Sequence, residues 1–317
     1  MRFRPFRNSD PPLLAKIWSR QTPHRGYARE VTAELLDIYV FSKPYFDRQG
    51  LIVAEDDNGE VVGFAHAGFG PDFEYSNLST ELGVTCMVMT DPNVDFEIVG
   101  PKLLAECELY LKARGSKVIY GGGMYPLNPF YLGLYGGSES PGVLESDKQR
   151  LSLFQNSGYV ESDRCVVLQR PLDGFRMPVD RRLLKLKKKY VVEHDKLPPP
   201  DRWWDACVEP IGEPTTFEIR ARHGGPACGR VRFWVIDAMS KNSGQLSVGL
   251  THLSVDESAR GQGLATLLNA EALKQLQLGG VGLVEAQTMK TNLAAIGLYK
   301  KIGFQIVDYG IVFRKQA

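Results

Sequence analysis

No apolar run in these 317 residues is long enough to span a bilayer, which leaves a membrane-spanning role without support. Neither sign of charge is in excess. With 38 Lys and Arg against 37 Asp and Glu the net charge is +1, so no overall field recruits nucleic acid or an anionic membrane. Cysteine is sparse and odd in number: Cys86, Cys107, Cys165, Cys207 and Cys228 are scattered, which argues for reduced thiols rather than a disulfide framework. The five histidines (His24, His66, His194, His223, His252) show no ligand spacing with one another or with cysteine, and no metal site is expected. Met1-Arg-Phe-Arg-Pro-Phe-Arg7 lacks the continuous apolar core of a signal peptide. A cytoplasmic protein, monomer or homodimer, is expected.

What is present is the composition of a soluble globular chain, 43% hydrophobic and 24% charged, long enough for two domains. The most informative stretch runs from Leu250 to Arg314. An apolar strand pattern, Leu250-Thr-His-Leu-Ser-Val255, leads into Arg260-Gly-Gln-Gly-Leu-Ala265 and then an amphipathic run carrying Leu267, Leu268, Leu273 and Leu276. A second apolar run, Val281 to Gln287, precedes Asn292-Leu-Ala-Ala-Ile-Gly-Leu-Tyr299 and Gly303-Phe304. The pattern is strand, glycine-rich turn, helix, strand, helix.

Such a turn has a physical use. Gly261 and Gly263 permit a close backbone approach, and the unpaired N–H groups at the helix start make an anion cradle suited to a pyrophosphate. It is not a Walker loop, because Leu264-Ala265 follows Gly263. Nor is it a dinucleotide fingerprint, because Thr266 stands where a third small residue is needed. Taken alone, an ordinary strand-to-helix turn fits equally well.

The two signatures together, Arg260-x-x-Gly263-x-Ala265 and Asn292-x-x-Ala295-Ile296-x-Leu298-Tyr299-x-Lys301-x-Gly303-Phe304, resemble the GNAT superfamily of acyl-CoA-dependent N-acetyltransferases, over about Thr216 to Arg314. The resemblance implies an acetyl-CoA co-substrate. Backbone amides of Gly261, Gln262, Gly263, Leu264, Ala265 and Thr266, helped by Arg260, would hold the CoA pyrophosphate. Main-chain groups of Leu253 and Val255 would pair with the pantetheine arm, Asn292 would hold it from the other side, and Tyr299 would protonate the departing thiolate. The base is open: GNAT glutamate positions fall on Gly249 and Gln287 here, leaving Glu285 and His252 as candidates.

The first half repeats the element order. Leu153-Phe154-Gln-Asn-Ser-Gly158-Tyr159 aligns with Leu298-Tyr299-Lys-Lys-Ile-Gly303-Phe304, which points to two copies of one fold. The expected fold class is α/β with a mixed sheet: two tandem GNAT-like domains, each a mostly antiparallel twisted sheet flanked by helices. Residues 1–172 would form a degenerate copy with an inserted loop at 123–147, residues 173–200 a linker, and residues 201–317 the acetyltransferase domain. A silent first copy is similar to the arrangement in mycothiol synthases.

The first copy's nearest match to the cradle is Glu97-Ile-Val-Gly-Pro-Lys102, where a glutamate and Pro101 oppose anion binding, and Phe154 stands at the tyrosine position. In the insert, Tyr125, Phe130, Tyr131 and Tyr135 either line a substrate pocket or pack on the sheet. Arg181-Arg182-Leu-Leu-Lys185-Leu-Lys-Lys-Lys189 reads as a solvated face, Leu197-Pro-Pro-Pro200 as a stiff spacer, and Trp203-Trp204 as packing or a substrate wall. Two functions follow: an N-acetyltransferase acting on a small-molecule amine or a peptide N-terminus, or a non-catalytic acyl-CoA-binding or interaction module.

Overall fold

A computed structural model of the chain describes residues 1–178, 180–195, 200, 202–209 and 212–317. The spacer expected at 197–200 therefore falls outside the described residues, except for Pro200. The chain divides into two compact units, and each takes a segment from elsewhere in the sequence. The first comprises Met1–Cys165, Pro200–Glu209 and Asp308–Ala317; the second comprises Val166–Pro199 and Pro210–Val307.

The first unit contains β1 (Arg2–Pro5), α1 (Pro11–Ser19), α2 (Ala33–Leu36), β2 (Leu51–Glu55), β3 (Val61–Pro71), β4 (Leu78–Thr90), α3 (Phe96–Ala113), β5 (Val118–Gly121), β6 (Val143–Leu144) and α4 (Lys148–Asn156). β1 to β4 pair antiparallel in sequence order, the tight Asp56-to-Glu60 turn closing the β2–β3 hairpin. β5 returns parallel to β4 after the α3 crossover. α3 buries Val99, Leu103, Leu104, Cys107 and Leu111 against β-strand residues such as Ala65 and Val88, at about 1.5–3 kcal/mol for each large apolar side chain.

β7 (Val160–Pro171) begins in the first unit and ends in the second, which continues with α5 (Arg181–Lys189) and β8 (Tyr190–Asp195). α6 (Trp203–Val208) belongs to the first unit. The second unit then runs through β9 (Thr215–Ala221), β10 (Ala227–Val235), α7 (Asp237–Ser243), β11 (Ser247–Val255), α8 (Leu264–Leu278), β12 (Leu283–Met289) and α9 (Leu293–Lys301). β8 to β11 pair antiparallel, and β12 runs parallel to β11. Leu267, Leu268, Leu273 and Leu276 of α8 are buried with Phe217 and Phe233 of the sheet. The last strand, β13 (Gln305–Gln316), contributes its end to the first unit, where Phe313 lies opposite Gly121 of β5.

The mixed sheet with flanking helices is thus present in both units, and the copies agree in detail. Asp147 caps α4 and Asn292 caps α9, each accepting from the backbone N–H three residues on. Tyr159 N donates to Phe154 O and Phe304 N to Tyr299 O, across the left-handed glycines Gly158 and Gly303. The paired rings Phe154–Tyr159 and Tyr299–Phe304 stand 5.1 and 5.3 Å apart. Among the described residues no helix is long and apolar enough to cross a membrane.

Candidate active site

The turn between β11 and α8 has the backbone the cradle requires. Gly261 (φ 73°) and Gly263 (φ 92°) occupy the left-handed region, which a side chain makes costly. Gly263 is the N-cap of α8, and Leu267 N donates to its carbonyl at 3.1 Å. The amides preceding Leu267 stand at the positive end of a 15-residue helix. Arg260 Nε donates to Val255 O at 3.1 Å, which joins the turn to the end of β11.

β11 and β12 pair only from Ser247–Leu283 to Leu250–Ala286 and then part. At the same level β11 is bulged against β10: Thr251 faces Arg232 and Ser254 faces Arg230, leaving His252 and Leu253 as the extra residues. His252 takes a left-handed φ of 51°, uncommon outside glycine though histidine adopts it more readily than most residues. Leu253 and Val255 lie beyond the point where the strands separate, so their β12-side edges have no strand partner in that register.

A cleft of about 290 Å³ opens beside the bulge, lined by Thr216, Arg230, Arg232, His252, Leu253 and Ser254. His252 is exposed. Thr216 is buried, and its hydroxyl makes no hydrogen bond among the described residues. Arg230 donates to Glu218, which also receives Arg220.

Glu285, opposite Gly249, is fully buried. Gln169 Nε2 donates to its Oε2 at 2.8 Å and Gln287 Nε2 to its Oε1 at 3.2 Å, so both oxygens are engaged. Tyr299 lies buried in α9 and packs on Phe304. Asn292 is exposed at the start of the same helix, its Oδ1 accepting from Ala295 N at 3.1 Å. The structure thus gathers Arg260 to Thr266 with Val255 at one end of β11. It sets Asn292 and Tyr299 seven positions apart, on one face of α9.

Two contributors escape a reading of the sequence. Gln169 reaches Glu285 from β7, 116 positions away. Arg182, in the basic run expected to be a solvated face, donates from Nε to Gln262 O at 3.0 Å and from Nη2 to Gly261 O. Long-range side-chain hydrogen bonds leave no local pattern, so neither residue announces itself.

The first unit differs at each corresponding place. Glu97 to Lys102, expected to form its turn, lie instead inside α3, whose N-cap is Asp95. The turn ahead of the helix carries Asp91 and Asp95, whose carboxylates accept from Asn93 N at 3.0 Å and Glu97 N at 2.9 Å. The protein's own anions therefore occupy those amides. β4 and β5 also part after Thr85–Gly121, with a bulge at Cys86, but the space is filled. Arg150 Nη1 donates to Met87 Sδ at 3.0 Å and its guanidinium sits 4.0 Å over the Tyr135 ring, while Asp147 accepts from Arg150 and Tyr27. Phe130, Tyr131 and Tyr135 of the insert are buried, and of the four only Tyr125 is exposed. Trp204 is buried against Tyr45 at 4.9 Å, which settles that residue as packing.

The Acetyltransferase (GNAT) family matches over residues 182–304. The mycothiol acetyltransferase of Corynebacterium jeikeium is 27% identical over 79 residues, covering 25% of this chain and 23% of its own length; the chain thus spans under a quarter of that curated relative. Among solved structures, a tandem GNAT protein from the clavulanic acid biosynthesis pathway superimposes with a TM-score of 0.65 at 13% identity, over 99% of this chain and 98% of its own. A GCN5-related N-acetyltransferase from Sphaerobacter thermophilus gives 0.63 at 14% identity, over 99% and 95%. Residues 182–304 of this chain are thus similar to the Acetyltransferase (GNAT) family, and the fold along 99% of the chain is similar to that of a tandem GNAT protein.

Proposed function

We propose that the protein is an acetyl-CoA-dependent N-acetyltransferase of small primary amines, with the second unit active and the first degenerate. The observation that carries this reading is the turn at Arg260–Thr266: two left-handed glycines and a run of helix-terminal amides at the end of a strand that parts from its neighbour. Backbone N–H groups there suit a diphosphate, and the exposed edge of β11 at Leu253 and Val255 suits an extended amide-bearing arm. The first unit's equivalents are blocked by Asp91, Asp95 and the Arg150–Met87 contact, which supports confining the coenzyme to the second unit.

The coenzyme supplies the activated acetyl thioester; the chain supplies position and proton traffic. Tyr299 holds a proton at Oη for the leaving thiolate, and Asn292 orients the arm from the start of α9. Of the two candidate bases, His252 suits the role better, since it is exposed at the bulge and lines the cleft, whereas both oxygens of Glu285 are occupied. The cleft beside Thr216, Arg230 and Ser254 receives the amine. The free thiols and the lack of charge bias agree with a cytoplasmic setting.

The test is free-thiol release from acetyl-CoA against a panel of amines. Tyr299→Phe should leave CoA affinity intact and lower kcat by roughly 10²–10⁴-fold, the usual worth of a positioned general acid. Coenzyme binding without thiol release from any amine would instead favour a non-catalytic acyl-CoA-binding module.

A further inference from the structure

The cradle turn is held from behind by a residue outside the strand–turn–helix unit. Resting on the coenzyme reading above, we propose that Arg182 is a positioning residue for the diphosphate, acting through the two peptide units Gly261–Gln262 and Gln262–Gly263. Its Nε donates to Gln262 O at 3.0 Å and its Nη2 to Gly261 O, across 80 and 79 positions of sequence.

The consequence follows from peptide planarity. In a trans peptide the carbonyl of one residue and the N–H of the next point in opposite directions. Both carbonyls face the Arg182 guanidinium, so the N–H groups of Gln262 and Gly263 face the opposite way, as a pair. Successive amides aimed to one side make an anion-binding concavity. Without the brace nothing local enforces that choice, because glycines at 261 and 263 tolerate either sign of φ and each peptide is free to turn over. The brace therefore prepares the donors before an anion arrives and removes an ordering cost from binding.

Arg182 is itself well placed. Its backbone N–H donates at 2.8 Å to Asp180, the N-cap of α5. Leu183 and Leu186 of α5 are buried, and Lys187 pairs with Glu271 of α8 at 2.6 Å. Lys301 at the end of α9 stands 3.7 Å from Asp180. α5 is thus tied to both helices of the proposed coenzyme site. A Cβ on Gly263 would stand 3.4 Å from Arg182 Nε and 3.5 Å from Leu186 Cδ1, so the brace lies in contact with the turn. The role needs a planar fork that reaches two carbonyls together, which arginine has and lysine lacks.

The experiment is calorimetric titration of the full chain with CoA, comparing wild type with Arg182→Gln, Arg182→Lys and Lys185→Gln. Lys185 is exposed on the same helix and serves as the charge control. Arg182→Gln should weaken CoA binding by about ten- to a hundredfold, because the two peptides must then be ordered on binding, while the variant stays folded by circular dichroism. Arg182→Lys should fall between and remains informative if the glutamine variant folds poorly; Lys185→Gln should match wild type. Equal affinity for wild type and both Arg182 variants would overturn the brace and leave the coenzyme reading standing. Equal weakening by Lys185→Gln would overturn it in favour of plain charge. Absence of heat with wild type would overturn the coenzyme reading beneath it.

Discussion

At His66 the fold holds a histidine with no solvent exposure, its Nδ1 3.0 Å from Tyr131 Oη and its ring 4.2 Å from that of Phe130. Burial disfavours the imidazolium and pushes the pKa down to about 3, from an ordinary value near 6.5. As pH falls below the ordinary value the unfolded chain takes the proton first. The stability contributed by the neutral ring is therefore complete above about pH 6.5 and drains away toward pH 3, at about 1.4 kcal/mol per pH unit. Urea unfolding of the first unit at pH 7 and pH 5.5 should show a steeper loss for wild type than for His66→Gln. Parallel losses would mean that His66 is protonated in the native state. Single residues also separate the two copies. Phe154 occupies the tyrosine position of the first and Tyr299 that of the second, in matching packing against Tyr159 and Phe304. The hydroxyl is thus a difference that packing does not demand.

Among the elements, the insert of the first unit acts as core. Phe130 is 1% exposed and packs against Tyr45, Phe46 and His66. A Cβ on Gly68 would stand 2.8 Å from its ring, so β3 is shaped around it. Phe130→Ala should cost about 3–5 kcal/mol by cavity formation, measurable as a lowered unfolding midpoint, whereas a merely decorative loop would show almost none. This burial could not be read from the sequence, because aromatic residues in a glycine-rich loop serve a pocket and a core equally well. The backbone of the turn before α8 was legible for the opposite reason: left-handed backbone at Gly261 and Gly263 demands glycine, so the residue type carries the geometry. The α3 turn was misplaced by a few residues because Glu97 and Pro101 look like breakers, yet the Asp95 cap starts the helix ahead of both and α3 carries Pro101 inside it. Arg182 stayed hidden because a basic run reads the same whether it faces water or a neighbouring carbonyl.

Over the whole molecule, the compact units do not follow chain order. The final residues, Asp308–Ala317, belong to the first unit, where Ile311 and Phe313 join the core with Phe154 and Val143. Asp308 there accepts from Arg25 and Ser146. A chain ended after Val307 should lose the first unit's cooperative unfolding, seen by circular dichroism; retention of that transition would show β13 to be dispensable there. No local pattern could reveal this exchange, since β7 and β13 each read as an ordinary strand with its partner unstated. The central claim is that one coenzyme site exists per chain, at the turn before α8. Its most direct test is the stoichiometry of CoA binding to the intact protein by calorimetry. One equivalent, abolished by Gly263→Glu through obstruction and charge repulsion, is the predicted result; two equivalents, or binding that survives Gly263→Glu, would contradict it.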